Sequence, residues 1–145
     1  MPLDGSKLGE VAIPYAEALA QALGSQLVLF QTFLTPTLGG AYEYRRTMSR
    51  IDFKEEEEQL RASALNYLDS LGKTFQEKGL TTSSAVRVGS AADQILEYAE
   101  ANGIDLIAMS THGRSGIGRW VLGSVTDKVL HAGDTAVLTV RATKV

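Results

Sequence analysis

The chain contains no cysteine, which excludes disulfides, cysteine–zinc sites and thiol chemistry. No apolar run approaches the roughly 18 residues that a membrane helix needs. The opening Met1-Pro-Leu-Asp-Gly-Ser6 lacks the basic-then-apolar order of a secretory signal. An excess of basic residues is also missing: 14 Lys and Arg stand against 17 Asp and Glu, for a net charge of −3 and a pI near 5.4. A nucleic-acid partner is therefore not expected, and neither is a membrane. No domain linker and no long internal repeat interrupts the chain. One soluble, cytoplasmic domain spanning 1–145 fits these absences, and a composition of 44% hydrophobic and 21% charged residues agrees with it. A chain of this size can bury about 68–70% of its unfolded surface, enough for a core.

The most informative stretch that is present runs from Ile104 to Thr126. It opens as an apolar strand, passes through a loop of glycines and hydroxyls, and closes on a helix start. Gly113, Gly116, Gly118 and Gly123 would let backbone N–H groups approach an anion without intervening Cβ atoms. Ser124 is expected to cap the following helix, with Asp127 favouring the same terminus. A glycine loop feeding a helix start at the carboxyl end of a strand is a phosphate-binding arrangement of α/β proteins.

The rest of the chain alternates between helix and strand. Leu8, Val11, Ala12, Tyr15, Leu19, Ala22 and Leu23 recur at helical spacing, with Ser6 as cap, Pro14 inside the helix and Gly24 as its stop. Leu27–Phe33 reads as a buried strand. The segment Leu34–Arg50, with Pro36 and Gly39-Gly40, is a long connection: either a crossing or a flap carrying Tyr42, Arg45 or Arg46. Ile51–Lys78 is helical, its acidic Glu55–Glu58 suiting a first turn, and Gly79 ends it. Strands follow at Ser84–Val88, Asp105–Met109 and Ala136–Val140. Between them lie helices marked by Ile95, Leu96 and Ala99, and by Val125, Val129 and Leu130. Strands separated by helices imply parallel pairing, hence a doubly wound α/β sandwich. The first helix lacks a feeding strand, since only Met1, Pro2 and Leu3 precede the Asp4-Gly-Ser6 turn.

Pro2-Leu-Asp4-Gly-Ser6, the Leu27–Phe33 strand and Ser110-Thr-His-Gly113 followed by Gly123-Ser124 together resemble the universal stress protein family, over essentially the whole chain. Ligand-binding members carry a glycine, two residues, a glycine, nine residues, then Gly-Ser or Gly-Thr. Gly113, Arg114–Leu122 and Gly123-Ser124 match the second half, while Ser110 stands where the first glycine belongs. That departure puts a side chain near the phosphates and lowers the expectation of nucleotide binding.

The resemblance implies a Rossmann-like sandwich around a five-stranded parallel sheet, a homodimer pairing through Ala136–Val140, and an ATP-type nucleotide at the carboxyl ends of the strands. Pro2, Leu3 and Asp4 would border adenine and ribose, and Thr32 would touch the base through its backbone. Gly113, Gly116, Gly123 and Ser124 would hold the phosphates with Val125 and Thr126 alongside, and Ser110, His112 and Arg114 complete the candidate set. Mg²⁺ could bridge the phosphates, although no dedicated metal site is visible. The family's first strand is central in its sheet, so several residues are expected to precede Met1, the first strand here being truncated.

Some residues carry two readings. Asp4 could cap its turn, bind a ligand, or both. Trp120 reads as a hydrophobic anchor, and His131 as a favourable charge or cap at a helix end. His112 has no partner carboxylate at a convincing spacing, and no Walker-type Gly-x-x-x-x-Gly-Lys occurs, so no catalytic residue is assigned. The expected function is a nucleotide-binding regulator with at most slow hydrolysis. A structural member that has lost the nucleotide and a slow ATPase are the alternatives.

Overall fold

The computed structural model describes residues 1–35, 50–111 and 122–142. A 3-10 turn over Gly9–Ala12 leads into α1 (Ile13–Leu23), followed by β1 (Leu27–Phe33), α2 (Arg50–Glu77), β2 (Thr82–Val88) and α3 (Ala91–Ala101). Then come β3 (Leu106–Ser110), α4 (Ser124–Ala132) and β4 (Ala136–Val140). The long connection with Tyr42, Arg45 and Arg46 lies outside the described residues, as do Gly118 and Trp120.

Pro14 sits inside the helix, as the apolar spacing suggests, but in its first turn and not in its interior. The α-helix begins at Ile13, which puts Pro14 in the first turn, where a missing N–H costs no internal bond. Ser6 caps the preceding turn instead, its Oγ accepting the Gly9 N–H at 3.0 Å. Gly24 ends α1 in the left-handed conformation, φ 62°, and Gly79 turns the chain after α2 at φ 83°.

All strand pairing is parallel among the described residues. β1 pairs with β2 in the register Leu27↔Thr82 through Phe33↔Val88. β3 pairs with β4 from Leu106↔Ala136 to Ser110↔Val140. Consecutive strand residues enter opposite core clusters, as the pleat requires. Leu29, Val86, Ala108 and Leu138 pack with Ala16, Ala20, Ala64, Leu68 and Phe75 of α1 and α2. Their neighbours Phe30, Ala85, Ile107, Met109 and Val137 pack with Ile95, Ala99 and Val129 of α3 and α4. Both faces of the strands are thus covered by helices, which is the doubly wound arrangement.

The expected single five-stranded sheet is instead two pairs. Met1–Leu3 run parallel to β1 on the edge away from β2: Leu3 N–H donates to the Phe30 carbonyl at 2.8 Å and Phe30 N–H to that of Met1 at 3.0 Å. Three residues make this one bridge and are too short to join β1 to β3 as a full strand.

Candidate functional site

A cavity of about 300 Å³ opens at the carboxyl ends of β1 and β3. Phe30 and Thr32 reach it from β1. Two residues apart, they share a face. Met109 and Ser110 reach it from the end of β3, and Ala91 and Ile95, one helical turn apart, from α3. Pro2, Leu3 and Asp4 form a further wall, held in place by the backbone bonds of Met1 and Leu3 to Phe30 of β1. Gly123, Ser124, Val125 and Thr126 close the cavity at the start of α4.

Asp4 is the one titratable side chain among the described lining residues. Its Oδ1 accepts the Ser6 N–H at 3.0 Å and the Ser6 hydroxyl at 2.7 Å. A Cβ at Gly9 would collide with the same oxygen, so the absence of a side chain there makes room for the carboxylate. Asp4 therefore stabilises its turn and also faces the cavity. The two readings left open by the sequence are geometrically compatible.

At the opposite wall, the Thr126 hydroxyl donates to the Ser110 carbonyl at 3.0 Å, and both residues are buried. Gly123 N–H donates to the Thr111 carbonyl at 2.9 Å, and Thr111 N–H to that of Val140 at 2.9 Å. These bonds fix the start of α4 against the ends of β3 and β4. The helix begins one residue earlier than a Ser124 cap requires. Gly123 is the N-cap residue, with no side chain to cap the helix, and Ser124 is the first helical residue. The N–H groups of Ser124, Val125 and Thr126 have no partner within the helix, and the helix end carries partial positive charge. His131 does sit in the last turn of α4, its Nδ1 2.8 Å from the Asp127 carbonyl oxygen.

Of the residues singled out from sequence, Pro2, Leu3, Asp4, Thr32, Ser110, Gly123, Ser124, Val125 and Thr126 meet in this one cavity. His112, Gly113, Arg114 and Gly116 lie outside the described residues. Gly9, Phe30, Ala91, Ile95 and Met109 also line the cavity and were missed. A signal existed for two of them: Phe30 stands two strand positions before Thr32, and Met109 directly precedes Ser110. Among the described residues no His, Asp or Glu side chains gather into a metal-binding group, and no helix is long and apolar enough to cross a membrane.

The fold and the cleft define an α/β protein with a ligand-sized cavity at the carboxyl ends of parallel strands. The chain belongs to the universal stress protein family, whose model matches residues 1–141. The universal stress protein Sll1388 of Synechocystis is 30% identical over 147 residues, covering 96% of this chain and 94% of that protein. The structure of MJ0577 from Methanocaldococcus jannaschii superposes with a TM-score of 0.82 at 24% identity, covering 99% of this chain and 94% of that one. A universal stress protein solved in complex with cAMP gives a TM-score of 0.65 at 22% identity, covering 99% and 94%.

Proposed function

We propose that this universal stress protein binds an adenine nucleotide and serves as a cytoplasmic, homodimeric sensor or regulator. The observation that carries the reading is the meeting, in one cavity, of an apolar wall, a carboxylate and a helix start. Phe30, Ile95 and Met109 offer a slot for a flat apolar base. The Asp4 carboxylate, fixed by Ser6, can accept a hydrogen bond from a ribose hydroxyl. The N–H groups at the start of α4, which have no partner within the helix, suit a phosphate. A volume near 300 Å³ is at the lower end for small-molecule sites, and fits the nucleoside portion of such a ligand. The related structure holding cAMP supports the same ligand class.

ATP is the nucleotide favoured by the Gly113 and Gly123-Ser124 spacing, with Mg²⁺ bridging its phosphates. Asp4 already accepts two bonds from Ser6 and has no described histidine or second carboxylate beside it in the cavity, so hydrolysis is expected to be slow. The homodimer is assigned to β4. Its Val137–Val140 segment is only half-buried and pairs with β3 along one edge, an arrangement that edge-to-edge association would complete.

Mass spectrometry of the gently denatured protein, followed by thermal shift with ATP, ADP, AMP and cAMP, tests the reading. At a hundredfold excess over Kd, binding adds about 2.7 kcal/mol and raises Tm by several degrees. Absence of both co-purified nucleotide and any shift would favour a member that works without one. Turnover of ATP at ordinary enzyme rates would favour an ATPase, and a monomer in sedimentation equilibrium would remove the β4 assignment.

A further inference from the structure

Tyr67 lies on α2, outside the cavity, yet it is bonded into the turn that carries Asp4. Its hydroxyl donates to Glu10 Oε1 at 2.8 Å. Glu10 belongs to the 3-10 turn, and its N–H donates to the Ser6 carbonyl at 3.1 Å. Ser6 in turn accepts the Gly9 N–H and donates to Asp4. One connected set of bonds therefore runs from the middle of α2 through Glu10 and Ser6 to the carboxylate that lines the cavity. Burial first, and then the Glu10 bond, push the Tyr67 phenol well above its ordinary pKa, so it remains a donor at neutral pH.

We propose that Tyr67 is a positioning residue for the ligand: through Glu10 it holds the Asp4–Glu10 turn so that the Asp4 carboxylate meets the ribose. This rests on the nucleotide reading of the cavity. The base slot and the start of α4 are built from other elements, β1, β3, α3 and α4. Loosening the turn should weaken only the contact to the ribose hydroxyls.

The test compares ATP with 2′,3′-dideoxy-ATP by isothermal titration calorimetry. Wild-type protein should prefer ATP. Tyr67→Phe, which removes one hydroxyl and keeps the ring, should lower ATP affinity about 3–10-fold and leave the dideoxy analogue unchanged. Glu10→Ala should act alike, whereas Glu10→Gln, which retains an acceptor, should restore the preference. In the ligand-free protein, the Ser6 and Gly9 amides should exchange with solvent about tenfold faster in Tyr67→Phe. The role of Tyr67 is overturned if the variant keeps the wild-type ribose preference, if both ligands weaken equally, or if amide exchange is unaltered. A wild-type protein that binds neither ligand instead overturns the nucleotide reading itself, and with it this role.

Discussion

Among the cavities that Met1–Leu3 line in the described residues, two lie at opposite ends of the strands. The carboxyl-end cavity measures about 300 Å³, and the amino-end groove is larger, about 540 Å³. Leu19 and Leu23 of α1, Leu27 and Val28 of β1, Ile104 before β3 and Leu106 at its start line the groove. Volume alone would favour it. The helix ends decide otherwise. α1 and α3 finish at the groove, near Ser25 and near Asn102-Gly103, and so present carbonyl groups and partial negative charge. α3 and α4 begin at the smaller cavity, where the helix starts carry N–H groups and partial positive charge. In a parallel α/β protein every crossover repeats this polarity, so anionic ligands belong at the carboxyl ends whatever the relative size of the spaces.

Obstruction should separate the two spaces most strongly. Ala91→Trp places a bulky ring in the carboxyl-end cavity and is expected to lower adenine-nucleotide affinity at least about 100-fold, close to 2.7 kcal/mol. Leu19→Trp, in the amino-end groove, should leave affinity within about twofold. Calorimetric Kd values, with circular dichroism to check folding, decide it. Equal losses would mean that the ligand does not distinguish the two ends, and the comparison would fail.

A smaller effect is expected from the acidic residues. Asp4→Ala should weaken binding by tenfold or more, as loss of a charge-assisted hydrogen bond of about 1.5–3 kcal/mol implies. Asp105→Ala, at the rim of the groove, should change affinity by less than about twofold. If Asp105 mattered as much as Asp4, general charge and not local geometry would govern affinity.

Element order was legible in the sequence because β1, β3 and β4 are short, mainly apolar runs and the helices carry apolar stripes. The polar start of β2, Thr82-Ser83, was left out of its strand. Asp4, Thr32 and Ser110 were placed by the family resemblance, and Ser124 by the glycine loop that feeds a helix start; all four line the cavity. Ala91 and Ile95 were not legible, because on α3 they look like any core-facing pair. Only the crossover of α3 onto β1 and β3 turns that face towards the cavity. The Tyr67–Glu10 bond joins residues 57 positions apart, and no local pattern signals it. The cap at the start of α4 was placed one residue late because Ser outranks Gly in cap preference. The backbone already reaches an extended conformation at Gly123, and position there outweighed propensity.

The least disruptive probe concerns what ties the walls of the carboxyl-end cavity together. Lys128 of α4 donates to Asp93 Oδ1 of α3 at 2.5 Å, joining the two helices whose first residues line that cavity. The Lys128 bond first, with Ser90 adding to it, holds the Asp93 carboxyl below its ordinary value of 3.8. A depressed carboxylate stabilises the fold above its unfolded-state pKa and loses that contribution as pH falls through the folded-state value. The Tm difference between wild type and Lys128→Met should therefore be constant from neutral pH to about 3.8 and shrink below it. Both side chains are about half exposed, so the difference should be small and should diminish further in high salt. A difference that persists in acid and in salt would show that Lys128 joins the helices by packing its methylene chain, and that the cavity walls are not clamped by charge.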